Sequence, residues 1–312
     1  LINLILNIIC RLLIFRDDKP NLIIYSSPQL PAAFFCLIIS KFLKIPFIFE
    51  VRDLWPKVLI DIGLISEKSI IYRVLSYFES IIYKNSSCVV VLSKGCIKHV
   101  TKLGAKKVFF LPNGPDLKDF KYFPLPREDK GFSLKRPFKI VYSGAHGRVN
   151  DLKTIIKTAF LLEKYHINFY LIGDGPEKLK IKNLALNLKN VFFDSSIPKK
   201  NMPKYLANCD AIIITLIGLE LFKYGVSPNK LYDAYAIGRP VITTIPGIVN
   251  DEVEYFGLGV TAPPENPQIL ANKIKKLYLK SRVEREAMSI SARKVAEKFY
   301  SREKISEEYI KI

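Results

Sequence analysis

Short apolar runs alternate with segments whose apolar residues recur at helical spacing, and the alternation occurs twice along the chain. The first series holds NLIIYSS (21–27), PFIFEVR (46–52), SCVVVLS (87–93) and KVFFLP (107–112). These runs are continuous and rich in β-branched and aromatic residues, as strands buried on both faces of a parallel sheet require. Helical patterns over 30–43, 66–84 and 94–103 separate them. The series restarts with PFKIVYSG (137–144), INFYLIG (167–173), NVFFD (190–194), DAIIITL (210–216) and PVITT (240–244). Helical patterns near 150–165, 176–188, 200–208, 228–237, 266–280 and 283–299 accompany it. Between the two lies KYFPLPREDKGFSLKR (121–136), polar and proline-bearing, which reads as a linker. Two consecutive βα series predict an α/β chain of two doubly wound parallel-sheet domains.

Length and charge fit that frame. The 312 residues suit two domains of roughly 150 each, and 49% hydrophobic content fills two cores. The formal charge of +19, from 48 Lys+Arg against 29 Asp+Glu, favours anionic partners: nucleic acid, an acidic membrane surface or a phosphorylated substrate. No single stretch interleaves basic and aromatic residues, which argues against nucleic acid. The lysine-rich helical segments 273–280 and 294–304 read most simply as solvated faces. Cys10, Cys36, Cys88, Cys96 and Cys209 show no CxxC spacing and read as buried reduced thiols, consistent with cytosol. Three scattered histidines and the lack of any D-x-D triplet suggest no metal. The opening LINLILNIICRLLIF is apolar but broken by Asn3, Asn7 and Arg11, and is shorter than the ~20 residues of a membrane span. A buried or membrane-surface helix fits it better.

One stretch concentrates chemistry: YGVSPNKLYDAYAIGRPVI (224–242). Ser227 at an N-cap with Pro228 next signals a helix start, and Gly238 followed by Arg239-Pro240 signals its end. Asn229 and Lys230 then fall in the first turn, where open backbone N–H groups and the positive end of the helix dipole favour an anion. Asp233, one turn on, lies on the same side and could accept from a sugar hydroxyl. The plain alternative is an ordinary capped helix with solvated charges.

Ligands of open α/β sheets bind beyond the carboxyl ends of the strands. Arg52-Asp53-Leu54-Trp55-Pro56 follows one strand, Asn113-Gly114-Pro115-Asp116 another, and Gly144-Ala145-His146-Gly147-Arg148 a third. Gly173-Asp174-Gly175-Pro176-Glu177 and Ser195-Ser196-Ile197-Pro198 follow two more. Each is a common loop by itself; together they set glycines, cations and acids around one potential site. His146 reads either as a donor to phosphate or sugar or as a structural turn histidine. Trp55, beside Pro56, reads as packing in preference to stacking on a base.

The order of these motifs resembles retaining glycosyltransferases of family 4, with the GT-B fold of two Rossmann-like domains facing a cleft. Within that family the chain is most similar to bacterial transferases of N-acetyl-fucosamine type that build surface polysaccharides, O-antigen or capsule. EVRDLWP (50–56), VVVLSKG (89–95), LPNGPD (111–116), VYSGAHGRVNDL (141–152), LIGDGPE (171–177) and SPNKLYDAYAIGRPVI (227–242) carry the resemblance and cover nearly the whole chain. It implies an acceptor-side domain over 1–122, a linker over 123–136, a nucleotide-sugar domain over 137–298, and a last helix over 299–312 that crosses back. Gly144 and Gly147 would let backbone approach a donor diphosphate, with His146, Arg148 and Gly173 beside it. Ser227, Pro228, Asn229 and Lys230 would stabilise charge on the departing UDP. Ser196, Ile197 and Pro198 would hold the uracil, Asp233 would accept from ribose or sugar, and Arg52, Asp53 and Asn113 would face the acceptor. Asp53, Lys230 and Asp233 are the implied catalytic set. No cofactor or metal is implied, since this fold uses cations and helix dipoles on the diphosphate.

Departures accompany the likeness. Gly225 stands eight residues before Asp233, so the first acid of the family's E-x7-E motif is absent, and Glu220 is out of register. Arg148 and Lys153 are the candidates for the family's phosphate-binding pair. The resemblance also implies a further strand and a glycine-rich loop ahead of NLIIYSS, so the chain reads as a fragment of a longer protein. The expected function is transfer of a sugar, a HexNAc or deoxy-HexNAc, from a UDP-sugar to a lipid-linked diphosphate saccharide. It would act peripherally at the anionic inner face of the cell membrane, and not on nucleic acid. An inactive nucleotide-sugar-binding remnant and a UDP-sugar 2-epimerase of the same architecture are the alternatives.

Overall fold

Four strands of the first series form one parallel sheet in the order β1 (Ile23–Ser26), β2 (Phe47–Val51), β3 (Cys88–Val91) and β4 (Val108–Phe110). All four residues of β3 are buried, as its unbroken apolar run demands. Helices α1 (Leu30–Leu43), α2 (Lys57–Asp61), α3 (Ile70–Asn85) and α4 (Cys96–Lys102) make the connections. The structure is a computed structural model and describes residues 20–126 and 136–312. The apolar opening segment (1–15) therefore lies outside the described residues, as does most of the expected linker.

The second series forms a six-stranded parallel sheet. Its strands are β5 (Phe138–Ser143), β6 (Ile167–Ile172), β7 (Val191–Asp194), β8 (Ala211–Ile214), β9 (Val241–Thr243) and β10 (Gly259–Thr261). They lie in the order β10-β9-β8-β5-β6-β7. The intervening helices are α5 (Leu152–Leu161), α6 (Lys178–Leu184), α7 (Met202–Leu206), α8 (Asn229–Ile237), α9 (Ile248–Tyr255) and α10 (Pro267–Leu279). Helices α11 (Arg282–Val295) and α12 (Arg302–Ile310) follow, joined by a wide π-type turn over Ala296–Tyr300. Ile140, Ile155, Phe169, Leu171, Ile213, Ile242, Leu270 and Ile274 pack between sheet and helices as one core.

Several elements differ from the sequence pattern. The helix expected over 66–84 begins later, because Ser69 caps α3 by accepting from the Tyr72 amide, while a separate short helix precedes it. β10 and α9 were not expected: β10 has three residues, and α9 is short and polar and starts from Gly247 at φ 71°. Gly259 enters β10 because a side chain there would collide with the Val241 carbonyl at 1.8 Å.

The chain divides into two units. The first runs through Pro112 and takes back Leu219–Ser227 and Lys311–Ile312; the second holds Asn113–Gly218 and Pro228–Ile310. Segment 219–227 is fastened to the first unit at three points. Asp61 Oδ2 accepts from the Leu221 amide at 2.7 Å, Lys57 donates to the Tyr224 hydroxyl at 3.1 Å, and Ser93 donates to the Tyr224 carbonyl at 2.8 Å. In the second unit, the Arg302 amide donates to the Pro115 carbonyl, so α12 is tied to the 113–115 turn. Among the described residues, no helix is long and apolar enough to cross a membrane.

Candidate functional site

In the second unit the chain runs from β5 outward through β6 and β7, then returns to place β8 on the other side of β5. That reversal marks the place beyond the carboxyl ends of β5 and β8 where open sheets of this kind form a ligand crevice. The loops leaving those strands are stitched together. Thr215 donates to the Asn150 carbonyl at 2.6 Å, and the Ile217 amide donates to the Val149 carbonyl at 3.0 Å. Gly144, Gly147 and Arg148 lie on the first of these loops, so the crevice holds residues the sequence singled out.

Lys230 reaches the same place from α8. Its Nζ donates to the Asn150 carboxamide oxygen at 3.1 Å and to the Tyr142 hydroxyl at 3.3 Å, and sits 4.5 Å from the centre of the Tyr142 ring. No carboxylate pairs with it among the described residues, and burial brings its pKa down to about 8. Gly144, at φ 147°, makes room for this arrangement: a β-carbon there would stand 3.2 Å from the ammonium. The Tyr142 hydroxyl in turn donates to the Ala145 carbonyl at 2.7 Å. The result is a cation held by neutral groups only.

The start of α8 differs in detail from the pattern. Pro228, extended at φ −76° and ψ 120°, occupies the cap position expected for Ser227, and its carbonyl accepts from the Leu231 amide at 2.9 Å. A proline cap has no side-chain acceptor, so the cap residue makes no side-chain bond to the first-turn amides. Those amides and Lys230 together make an anion-favouring helix start. Gly238 closes the helix in the left-handed conformation, as expected. Arg239, fully buried, donates to the carbonyls of Phe123, Pro124, Leu206 and Ala207 and so ties the end of α8 to its surroundings.

The loops after β5 and β6 interlock through their glycines. A β-carbon on Gly173 would lie 1.9 Å from the Gly144 carbonyl, and one on Gly175 would lie 2.7 Å from the His146 carbonyl. The His146 amide donates to the Asp174 carbonyl at 2.7 Å, and its carbonyl accepts from the Glu177 amide at 2.9 Å. The His146 ring is thereby enclosed, and burial and Lys178 hold its pKa below the usual value. A neutral, shut-in imidazole does not present itself to a ligand. Arg148, by contrast, is exposed. Lys178, which sequence reading passed over, donates to the Gly173 carbonyl at 2.7 Å and bridges toward Asp194.

Asp233 is 13% exposed, and burial lifts its pKa to about 6 against the pull of Lys199 and Arg302. Lys199 Nζ stands 3.9 Å from Asp233 Oδ2, which draws the loop after β7 toward α8. That loop carries Ser196, Ile197 and Pro198, of which Ser196 and Pro198 are exposed. Asn113 opens the second unit, whereas Arg52 and Asp53 belong to the first. Asp53 is exposed and its amide lies 3.5 Å from Ser27 Oγ; partial desolvation lifts its pKa while Arg52 pulls it down. Arg52 turns toward Glu50 at 3.6 Å. Glu220 is exposed and paired with Lys223 at 2.7 Å, and Gly225 ends that 3-10 turn at φ 88°. Among the described residues no three His, Cys, Asp or Glu side chains gather into a metal-holding group.

Comparison with known proteins decides the family. Residues 127–295, more than half of the chain, match the family described as glycosyl transferases group 1. The chain belongs to that family. Among curated proteins it is similar to the "probable glycosyltransferase WbjE" of Pseudomonas aeruginosa, with 27% identity over 239 residues. That match takes in 73% of the chain but spans only 58% of the relative's length. HepE of Anabaena in complex with UDP superimposes with a TM-score of 0.76 at 15% identity, covering 99% of this chain and 81% of that one. Sucrose-phosphate synthase from Thermosynechococcus elongatus gives 0.74 at 17%, covering 96% and 74%. WaaG, described as involved in lipopolysaccharide biosynthesis, gives 0.64 at 16%, covering 92% and 85%. These structural likenesses establish the fold of this group 1 member: two parallel-sheet α/β units of GT-B type.

Proposed function

We propose that this chain binds a UDP-sugar at the Lys230 crevice and is the donor-binding part of a retaining family 4 glycosyltransferase. The observation that carries the reading is the Lys230 ammonium, half-buried and desolvated beside a helix start whose proline cap makes no side-chain bond, and offset by no carboxylate among the described residues. A diphosphate leaving group supplies the missing negative charge. In the mechanism this implies, Lys230 and the α8 amides stabilise charge that grows on the diphosphate as the glycosidic bond breaks. Asn150 and the Tyr142 hydroxyl fix the ammonium in place, so little reorganisation accompanies the reaction. The bare backbone at Gly144 and Gly147 admits the phosphates closely. Ser196, Ile197 and Pro198 hold the uracil, and Asp233 accepts from a ribose or sugar hydroxyl. Arg52, Asp53 and Asn113 serve the acceptor side. No metal or cofactor is required.

The transferred sugar in this reading is a HexNAc or deoxy-HexNAc of N-acetyl-fucosamine type. The acceptor is a lipid-linked diphosphate saccharide of surface polysaccharide synthesis, met at the anionic inner face of the membrane. Support comes from the family, from HepE and its UDP complex, and from WaaG's stated role. The test is turnover with UDP-HexNAc donors and a lipid-diphosphate saccharide, with product anomeric configuration read by NMR. Transfer with retained configuration is expected. Inverted product contradicts the retaining assignment, and release of free 2-epimerised sugar favours the epimerase.

A further inference from the structure

The loop that follows β7 is closed at its neck. The chain leaves the sheet at Asp194 and enters α7 a few residues on, and the Tyr205 hydroxyl on α7 donates back to Asp194 Oδ2 at 2.6 Å. Burial and the Asp194 carboxylate push the tyrosine's pKa up, so its hydroxyl keeps the proton it donates. The Asp194 side chain serves no core: it is exposed, and its one side-chain hydrogen bond among the described residues is this one. Within the loop the Asn201 amide donates to the Pro198 carbonyl at 2.9 Å, so a 3-10 turn over Lys199–Asn201 follows directly on Ser196, Ile197 and Pro198. Compact loops with joined ends are a form that functional surface loops often take.

Neck and tip are each held from outside the loop. At the neck, Lys178 Nζ lies 2.7 Å from the Gly173 carbonyl and 3.4 Å from the Asp194 carbonyl, on a side chain only 16% exposed. One ammonium thereby bridges the ends of β6 and β7, where Ile172 and Asp194 pair in register. Gly173 in turn packs bare against the Gly144 carbonyl, so the neck is coupled to the loop that faces Lys230. At the tip, Lys199 Nζ stands 3.9 Å from Asp233 Oδ2 on α8 and 5.6 Å from the centre of the Phe120 ring.

We infer that Asp194 and Tyr205 are positioning residues that lock the 195–198 loop at one spacing from the diphosphate loop, and that this lock selects a pyrimidine over a purine. A loop fixed at both neck and tip keeps its distance from the Gly144 backbone. A single ring fits without moving it, whereas a bicyclic base has to push it outward against the Asp194–Tyr205 and Lys199–Asp233 contacts. Lys178 carries the register from one loop to the other. The inference rests on the proposed placing of the uracil at Ser196, Ile197 and Pro198, and adds the residues that hold that loop and the discrimination they produce.

Calorimetric titration of the full chain with UDP, GDP and inorganic pyrophosphate separates base from phosphate. The wild-type chain should take UDP about tenfold or more tightly than GDP. Asp194→Ala and Tyr205→Phe should each weaken UDP about fivefold, the worth of one hydrogen bond, while pyrophosphate affinity stays within about twofold and the preference for UDP over GDP shrinks. Asp194→Asn, which keeps an acceptor for the tyrosine, should restore UDP affinity to near the wild-type value. The Asp194→Ala, Tyr205→Phe double variant should lose no more than either single one, because both remove the same bond. If the wild-type chain binds none of the three ligands, the donor reading falls and the lock with it. If it binds UDP and both single variants keep its preference over GDP, the lock alone is overturned. Equal losses of UDP and pyrophosphate in the variants, or no recovery in Asp194→Asn, also overturn it, in favour of a general structural role.

Discussion

Lys230 Nζ lies 3.1 Å from Asn150 Oδ1, joining the start of one helix to the loop that leaves the first strand of the second sheet. The contact is neutral on one side and charged on the other. It orients the ammonium without cancelling it, which an aspartate at 150 would do. The ammonium therefore keeps a charge that no carboxylate among the described residues offsets.

The lysine's depressed pKa gives a pH dependence of definite sign. In the folded chain Lys230 titrates at about 8, against 10.5 when unperturbed. Between those values the unfolded chain holds a proton that the folded chain has lost, so stability rises with pH across the window. Below pH 8 the buried charge weighs on the fold in full. Lys230→Met should therefore stabilise the ligand-free protein at pH 7 by about 2 kcal/mol, a gain that shrinks to nothing by pH 10.5. Denaturant titrations of both proteins at pH 7 and pH 10 check this.

Asp233 gives the opposite window. Its folded pKa of about 6 exceeds the unperturbed 3.8, so the folded chain keeps a proton there that the unfolded chain releases. Stability falls as pH rises from 3.8 to 6, and the cost is complete above 6. Asp233→Asn should stabilise by roughly 2 kcal/mol at pH 7 and by almost nothing at pH 4. Equal stabilisation at both values would mean that the carboxylate is not desolvated.

Gly173 is closed to any side chain. The 1.9 Å approach to the Gly144 carbonyl and a φ of 141° predict that Gly173→Ala costs about 3 kcal/mol or more. UDP affinity should fall with it, since the displaced Gly144 loop is the one that faces Lys230. Chemical denaturation and UDP titration on the same sample check both halves. Gly257 is the control, since a β-carbon there would meet nothing within 4 Å. Its own φ of 62° still makes alanine mildly unfavourable there, at about 1 kcal/mol.

Arg239 predicts a stability effect without a direct ligand effect. Its guanidinium satisfies carbonyls from three separate segments, and Arg239→Met leaves them buried and unpaired. A loss of about 3–5 kcal/mol is expected, read as a lower denaturant midpoint.

The strands were legible because parallel strands buried on both faces leave unbroken apolar runs, and β3 and β8 are the clearest cases. The elements β10 and α9 were not, being too short and too polar to leave a period. At the site, Lys230 could be read from its place after a proline at a helix start. Tyr142 and Asn150 could not, because their part depends on two segments meeting that are far apart in sequence. The same holds for Lys178 and Lys199, which act across loops. His146 read either as a donor to ligand or as a structural turn histidine, and the sequence could not choose; the missing side chains of Gly173 and Gly175 let a second loop close over it. Ser227 had the composition of a cap, but Pro228's extended backbone moved the helix start one residue on.

Donor binding at Lys230 is decided by calorimetric titration of the full chain with UDP, beside Lys230→Ala. Saturable UDP binding by the wild-type chain is expected, weakening above pH 8 and disappearing in the variant, whose melting curve stays cooperative. No binding of UDP by the wild-type chain at millimolar concentration, or equal binding by both proteins, would contradict it.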